Sequence, residues 1–178
     1  MKIIFLDIDG VLNYMGSNLI DESCLKQLRR VAVETGAKIV LISTWKQFLD
    51  DEILKDLSEK DKENFLYHRN LLNETLSGEL EMIDIVEDYF SIVDAEVSHT
   101  TVSLADLEGE DDAGHGAWRS IEVKWWLEKH PEVKSFVIID DFDCEYHNYY
   151  PNNWVQPSWF RCGLSKELGD KAIKILNK

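Results

Sequence analysis

Apolar and polar positions follow two periods along this chain, and each change of period predicts a change of element. Ile3, Ile4, Phe5 and Leu6 form a short continuous apolar run, the pattern of a strand buried on both faces. Asp21 to Thr35 then places Leu25, Leu28, Val31 and Ala32 at helical spacing, with Asp21 or Ser23 as N-cap and Gly36 as the stop. Lys38 to Ile42 is a second strand-like run. Strand, helix and strand in this order and length predict a βαβ unit with parallel strands and a right-handed crossover. Towards the end of the chain, Arg119 to Lys129 carries Val123, Trp126 and Leu127 on one helical face, Val133 to Ile139 reads as another buried strand, and Ser165 to Leu176 reads as a closing amphipathic helix.

The middle of the chain is more polar. Phe48, Ile53, Leu54 and Leu57 predict one helix, Phe65, Leu66, Leu71 and Leu72 a second, and Met82, Ile83, Val86, Tyr89 and Phe90 a third, with Ser77 and Gly78 as punctuation. Their aromatic side chains are read as core rather than substrate contacts. Ser91 to Leu104 has strand composition, and Asp106 to Gly116 reads as an acidic, glycine-rich surface loop. His99 and His115 lack partners at metal-ligand spacing. The segment is longer than a crossover requires, so residues 46 to 118 have room for a helical insertion or lid. Phe142 to Phe160 reads as an aromatic loop with one short strand near Trp154 to Gln156. Most of its rings are expected in the core, with stacking on a base or packing on a lid as the other roles.

Composition narrows the class. With 178 residues and 44% hydrophobic content, the chain is expected to fold as one domain, residues 1 to 178, burying about two-thirds of its unfolded surface. A net charge of −15 disfavours nonspecific binding to nucleic acid or to an anionic membrane, both of which need clustered cations. A nucleic-acid end held by a few local contacts stays compatible with it. Three scattered cysteines, Cys24, Cys144 and Cys162, suit reduced thiols and a cytoplasmic location better than a disulfide framework. No run is long enough to span a bilayer, and the opening apolar run is too short for a signal peptide.

Charge at the strand ends supplies the candidate chemistry. Asp7 and Asp9 stand i, i+2 at the end of the first strand, so both carboxylates leave one side of an extended backbone, and Gly10 lets the chain turn after them. Such a pair stays ionised only with a cation to offset it, and a hard divalent ion, Mg²⁺, fits. Ser43 and Thr44 follow the second strand, where a hydroxyl can donate to a phosphate oxygen. Asp140 and Asp141 end the strand of Val133 to Ile139 in the same way. Taken singly, each of these is also an ordinary turn or cap residue.

The string from Ile3 to Leu12, hhhhDxDGVL, resembles motif I of the haloacid-dehalogenase-like (HAD) phosphohydrolases. RSIEVKWWLEKHPEVKSFVIIDD, from Arg119 to Asp141, resembles a pattern found in a group of small HAD proteins, some of them linked to RNA repair, and Trp45 with Lys46 resembles the aromatic and basic pair that follows motif II there. The resemblance implies that Asp7 is the nucleophile and Asp9 the general acid/base. It carries motif II to Ser43, with Thr44 as the alternative, and motif III to Arg119, with Lys124 as the alternative, where the commoner family residue is lysine. It completes the Mg²⁺ shell of Asp7 and Asp9 with Asp140 as a direct ligand and Asp141 as a second ligand or its support. The implied fold is an α/β, HAD-type Rossmann-like three-layer sandwich with a central parallel sheet and no large cap domain. The implied activity is Mg²⁺-dependent hydrolysis of a phosphomonoester, on a small molecule or a nucleic-acid end, through an aspartyl phosphate. A phospho-receiver domain fits less well, because receivers carry their phosphorylated Asp on a middle strand. An acidic interaction or inhibitor protein on a HAD fold without turnover would have no need of Asp9.

Overall fold

The structure, a computed structural model, describes residues 1–17, 19–85 and 117–178. Its strands are β1 (Lys2–Leu6), β2 (Lys38–Leu41), β3 (Met82–Ile85), β4 (Ser135–Ile139) and β5 (Trp154–Val155). The helices are α1 (Glu22–Thr35), α2 (Asp51–Asp56), α3 (Glu59–Thr75), α4 (Ala117–Lys129), α5 (Tyr146–Tyr149) and α6 (Lys166–Leu176), with a 3-10 helix at Thr44–Leu49. The five strands among the described residues are all parallel, in the order β3-β2-β1-β4-β5. The order runs outward from β1 through β2 to β3 and then resumes on the other side of β1 with β4. Open α/β sheets hold ligands at the carboxyl ends of strands at such a reversal, which here lies between β1 and β4.

Alternation along the strands builds three layers. Ile4, Leu6, Ile39, Leu41, Val137 and Ile139 face a core shared with α1 and α6, through Leu28, Val31, Ala172 and Ile175. Ile3, Phe5, Val40 and Ile138 face the other way, against Val123 and Trp126 of α4 and against Tyr146. Phe5 meets Trp126 edge to face with ring centroids 5.3 Å apart. Each fully buried aliphatic or aromatic side chain contributes about 1.5–3 kcal/mol, so the central strands anchor both layers. The helix ends use local signals: Asp21 accepts from the Ser23 and Cys24 amides at the start of α1, and Gly36, at φ 66°, donates its amide to Ala32 at the end. Ser165 caps α6 through the Leu168 amide.

Between β2 and β3 the chain departs from the expected helices. Phe48 and Ile53 belong to different elements, because Asp50 is extended (φ −85°, ψ 117°) and its carboxylate accepts from the Glu52 amide, closing the 3-10 helix and starting α2. Met82 to Ile85 is an edge strand instead of a third helix. Its backbone pairs with β2, Ile39 opposite Met82 and Val40 opposite Asp84, and the Trp126 indole donates to Asp84 Oδ2 at 2.6 Å. A short apolar run carries no decisive period, so its partner strand settled its form. The rest of that expected helix (Val86, Tyr89, Phe90), the strand expected at Ser91 to Leu104 and the loop expected at Asp106 to Gly116 lie outside the described residues. The α3 helix sends Leu72 into the α1 core layer, and Leu76 and Leu80 follow it there. The aromatic loop after β4 contains the short helix α5. Among the described residues no helix is long and apolar enough to cross a membrane.

Candidate active site

Asp7 is the first residue beyond β1, and its amide donates to the Ile139 carbonyl at 3.0 Å, so the exits of β1 and β4 are held together. The Ile42 amide makes the same kind of bond to the Leu6 carbonyl on the other side. These backbone bonds bring Asp7, Ser43 and Asp140 to three adjacent strand ends, where all three are buried. Arg119, in the first turn of α4, reaches over them: its Nη1 lies 3.0 Å from Asp140 Oδ2 and 3.5 Å from Asp7 Oδ1. Lys124, five residues on, is exposed and faces Glu128 instead. Ser43 is fully buried and Thr44 exposed.

Asp140 is bonded at both oxygens. Oδ1 accepts from the Phe142 amide at 2.9 Å, and Oδ2 accepts from Arg119 and from the Tyr146 hydroxyl at 3.1 Å. Asp7 Oδ1, by contrast, is buried with no hydrogen-bond partner. Asp7, Asp140 and Asp141 each bring a carboxylate oxygen within 4.8 Å of the others. Asp141 gets that close because residue 10 is glycine: a Cβ there would fall 2.1 Å from Asp141 Cγ, and φ is +74°. Crowding and burial shift the acids. Burial, and then Asp140, push Asp7 up to about 7 against the pull of Arg119 and Ser43. Burial, and then Asp7, push Asp141 up to about 6, and burial raises Asp140 although Arg119 opposes it. Burial disfavours the Arg119 charge, but Asp7 and Asp140 outweigh it, so the guanidinium stays protonated. An all-oxygen anionic set with one orphaned buried oxygen fits a hard divalent cation.

Asp9 stands apart from that set. Its side chain is exposed, Oδ1 accepts from Asn13 Nδ2 and Oδ2 from Trp45 Nε1, both at 2.9 Å. Asn13 in turn accepts from the Gly10 amide at 2.8 Å. Both Asp9 oxygens therefore have neutral donors, and Asp9 is not among the carboxylates that converge on one point. Trp45 is itself packed edge-on against Phe48 and His68. Lys46 and Glu122, both mostly buried, lie 3.8 Å apart and link the turn after β2 to α4, the helix that carries Arg119. Asn13, Tyr146 and Glu122 were not singled out from the sequence as site residues. Only the spacing of Asn13 from Asp9 hinted at one of them, since a residue four on can reach back across a tight turn.

A search of curated proteins and a search of solved structures each returned no match. A family model described as the HAD domain in Swiss Army Knife RNA repair proteins matches residues 3–168. That span takes in every side chain of the crevice, from Asp7 on β1 to Asp141 after β4, and the chain thus belongs to this family of HAD domains.

Proposed function

We propose that the crevice hydrolyses a phosphomonoester, on a small molecule or a nucleic-acid end, in two steps through an aspartyl phosphate on Asp7. The observation that carries this reading is the buried Asp7 oxygen without a hydrogen-bond partner, beside Arg119, with Asp9 held at the open edge. Asp7 attacks phosphorus; a P–O bond to Asp7 forms as the ester P–O bond breaks, and Asp9 gives its proton to the departing alcohol oxygen. A water molecule then attacks phosphorus, Asp9 takes its proton, and the bond to Asp7 breaks to release inorganic phosphate. Arg119 and the Ser43 hydroxyl bind the phosphoryl oxygens through both steps. Mg²⁺ held by Asp7, Asp140 and Asp141 would offset the charge of the phosphate and of the acids around it.

Several features support this reading over its rivals. A phospho-receiver has the strand order 2-1-3-4-5, whereas here the third described strand pairs with β2 and not with β1. A binding protein has no use for a carboxylate oriented as Asp9 is. The family's occurrence in RNA repair proteins favours nucleic-acid ends among the substrates. The charge of −15 argues against an extended nucleic-acid track or a membrane partner, and three free thiols suit a cytoplasmic setting. The test is phosphate release from a panel of phosphate esters with Mg²⁺. Asp7→Asn is expected to abolish it, and Asp9→Asn to lower kcat by about 10²- to 10⁴-fold. Wild-type turnover in Asp7→Asn would overturn the mechanism.

A further inference from the structure

The chain beyond β5 makes a tight loop whose tip is aromatic and basic. The Ser158 carbonyl accepts from the amides of Arg161, Cys162 and Gly163 at 3.2, 3.3 and 3.2 Å, and Ser158 and Gly163 form an antiparallel bridge. This leaves Trp159, Phe160 and Arg161 at the turn, all exposed, Phe160 to 79%. The loop is anchored on both sides of the crevice. Gln156 Nε2 donates to the Asp141 carbonyl at 3.0 Å. On the other flank the Met15 amide donates to the Trp159 carbonyl at 2.7 Å and the Leu164 amide to the Val11 carbonyl at 2.8 Å. Gly163 sits so close that a Cβ would meet the Val11 carbonyl oxygen at 2.7 Å. The base of the loop is thus held between the segment that carries Asp9 and the one that carries Asp141.

Most rings of the aromatic stretch behave as core: Tyr146 is fully buried, and Tyr150 and Trp154 pack beside the same cluster. Trp159 and Phe160 differ, since a short hydrogen-bonded turn, anchored to the segments that carry Asp9 and Asp141, holds both in solvent. Exposed aromatic faces accept any planar ring, and a neighbouring guanidinium accepts an anion. In the phosphomonoesterase reading, on which this inference rests, the departing alcohol breaks from phosphorus and takes its proton from Asp9; Asn13 closes the Asp9 turn, and Met15, two residues on, ties it to this loop.

We propose that Trp159, Phe160 and Arg161 form the leaving-group subsite, taking the terminal nucleoside of a nucleic-acid strand on the two rings and the adjoining phosphodiester on Arg161. Ring-free phosphate esters would leave both faces unused. The test compares kcat/KM for a dinucleotide with a terminal phosphate and for the same molecule with its terminal base removed. The base is expected to raise kcat/KM by about 5- to 100-fold. The double variant W159A/F160A is expected to bring that ratio towards one, while Trp159→Phe, which keeps a ring, retains most of it. Arg161→Ala is expected to reduce the preference for the dinucleotide over the mononucleotide and to flatten its salt dependence. The same ratios in binding affinity, measured on the Asp7→Asn protein, separate the two readings: base-dependent binding without turnover in the wild type would overturn the hydrolysis and leave the subsite standing. A ratio near one in the wild type, or a ratio unchanged in W159A/F160A, overturns the subsite and marks the exposed rings as a surface for another protein.

Discussion

Asp9 is held by two neutral hydrogen bonds, and the one from Trp45 can be removed with little change of shape. Trp45→Phe keeps a ring against Phe48 and His68 but takes the N–H away from Asp9 Oδ2. A hydrogen bond to a charged group is worth about 1.5–3 kcal/mol, so Tm is expected to fall by several degrees, and kcat at least about tenfold with KM close to wild type. Kinetics that match wild type would reduce Trp45 to packing. The carboxyls beside Arg119 make a second prediction, about pH. Asp7 is pushed up to about 7 and Asp141 to about 6, while the unfolded chain loses those protons near 4. Between these values the folded state holds protons that the unfolded state has released, so this contribution to stability is fully present below about pH 4 and is lost as pH rises through 6 and 7. In EDTA, Asp7→Asn should therefore match the wild type near pH 4 and melt several degrees higher at pH 7.5, at about 2–4 °C per kcal/mol for a chain of this size. A gap that does not change with pH would deny the burial penalty.

The turn after β1 shows how an element's ending shapes the crevice. Gly10 has φ +74° and Gly36, at the end of α1, has φ +66°, so alanine strains both backbones similarly. Their surroundings differ, since a Cβ at 36 meets nothing within 4 Å while one at 10 collides with Asp141. Gly36→Ala is expected to lower Tm and keep the full rise in Tm on adding Mg²⁺, a rise that reports binding to the folded state. Gly10→Ala should lower Tm and also shrink that rise. An intact Mg²⁺ response in Gly10→Ala would remove Asp141 from the cation site. β3 carries a different lesson. Periodicity predicted a helix running from Met82, and pairing with the neighbouring strand β2 made Met82 to Ile85 a strand instead.

Across the whole molecule, charge limits what can approach. A chain of net charge −15 repels a long polyanion everywhere except near local cations. For oligonucleotides of increasing length with a terminal phosphate, kcat/KM is expected to level off after a few units, with a shallow salt dependence; a steep continuing climb that collapses with salt would reveal an extended basic track. The sequence by itself determined the parallel α/β architecture and the carboxylates at its strand ends, because apolar runs, caps and the charges that terminate them are local along the chain and need no partner to be read. It also left pairs open, Arg119 or Lys124 and Ser43 or Thr44. Only the tertiary structure decided which of each lies at the crevice, and only it brought Trp45 and Asn13 to Asp9, Tyr146 to Asp140 and the Trp159 loop to the segments that carry Asp9 and Asp141. The relations of Trp45 and of the Trp159 loop arise between segments far apart in the chain whose local patterns carry no record of each other, while those of Asn13 and Tyr146, four and six residues from their partners, depend on how the chain folds back after each strand.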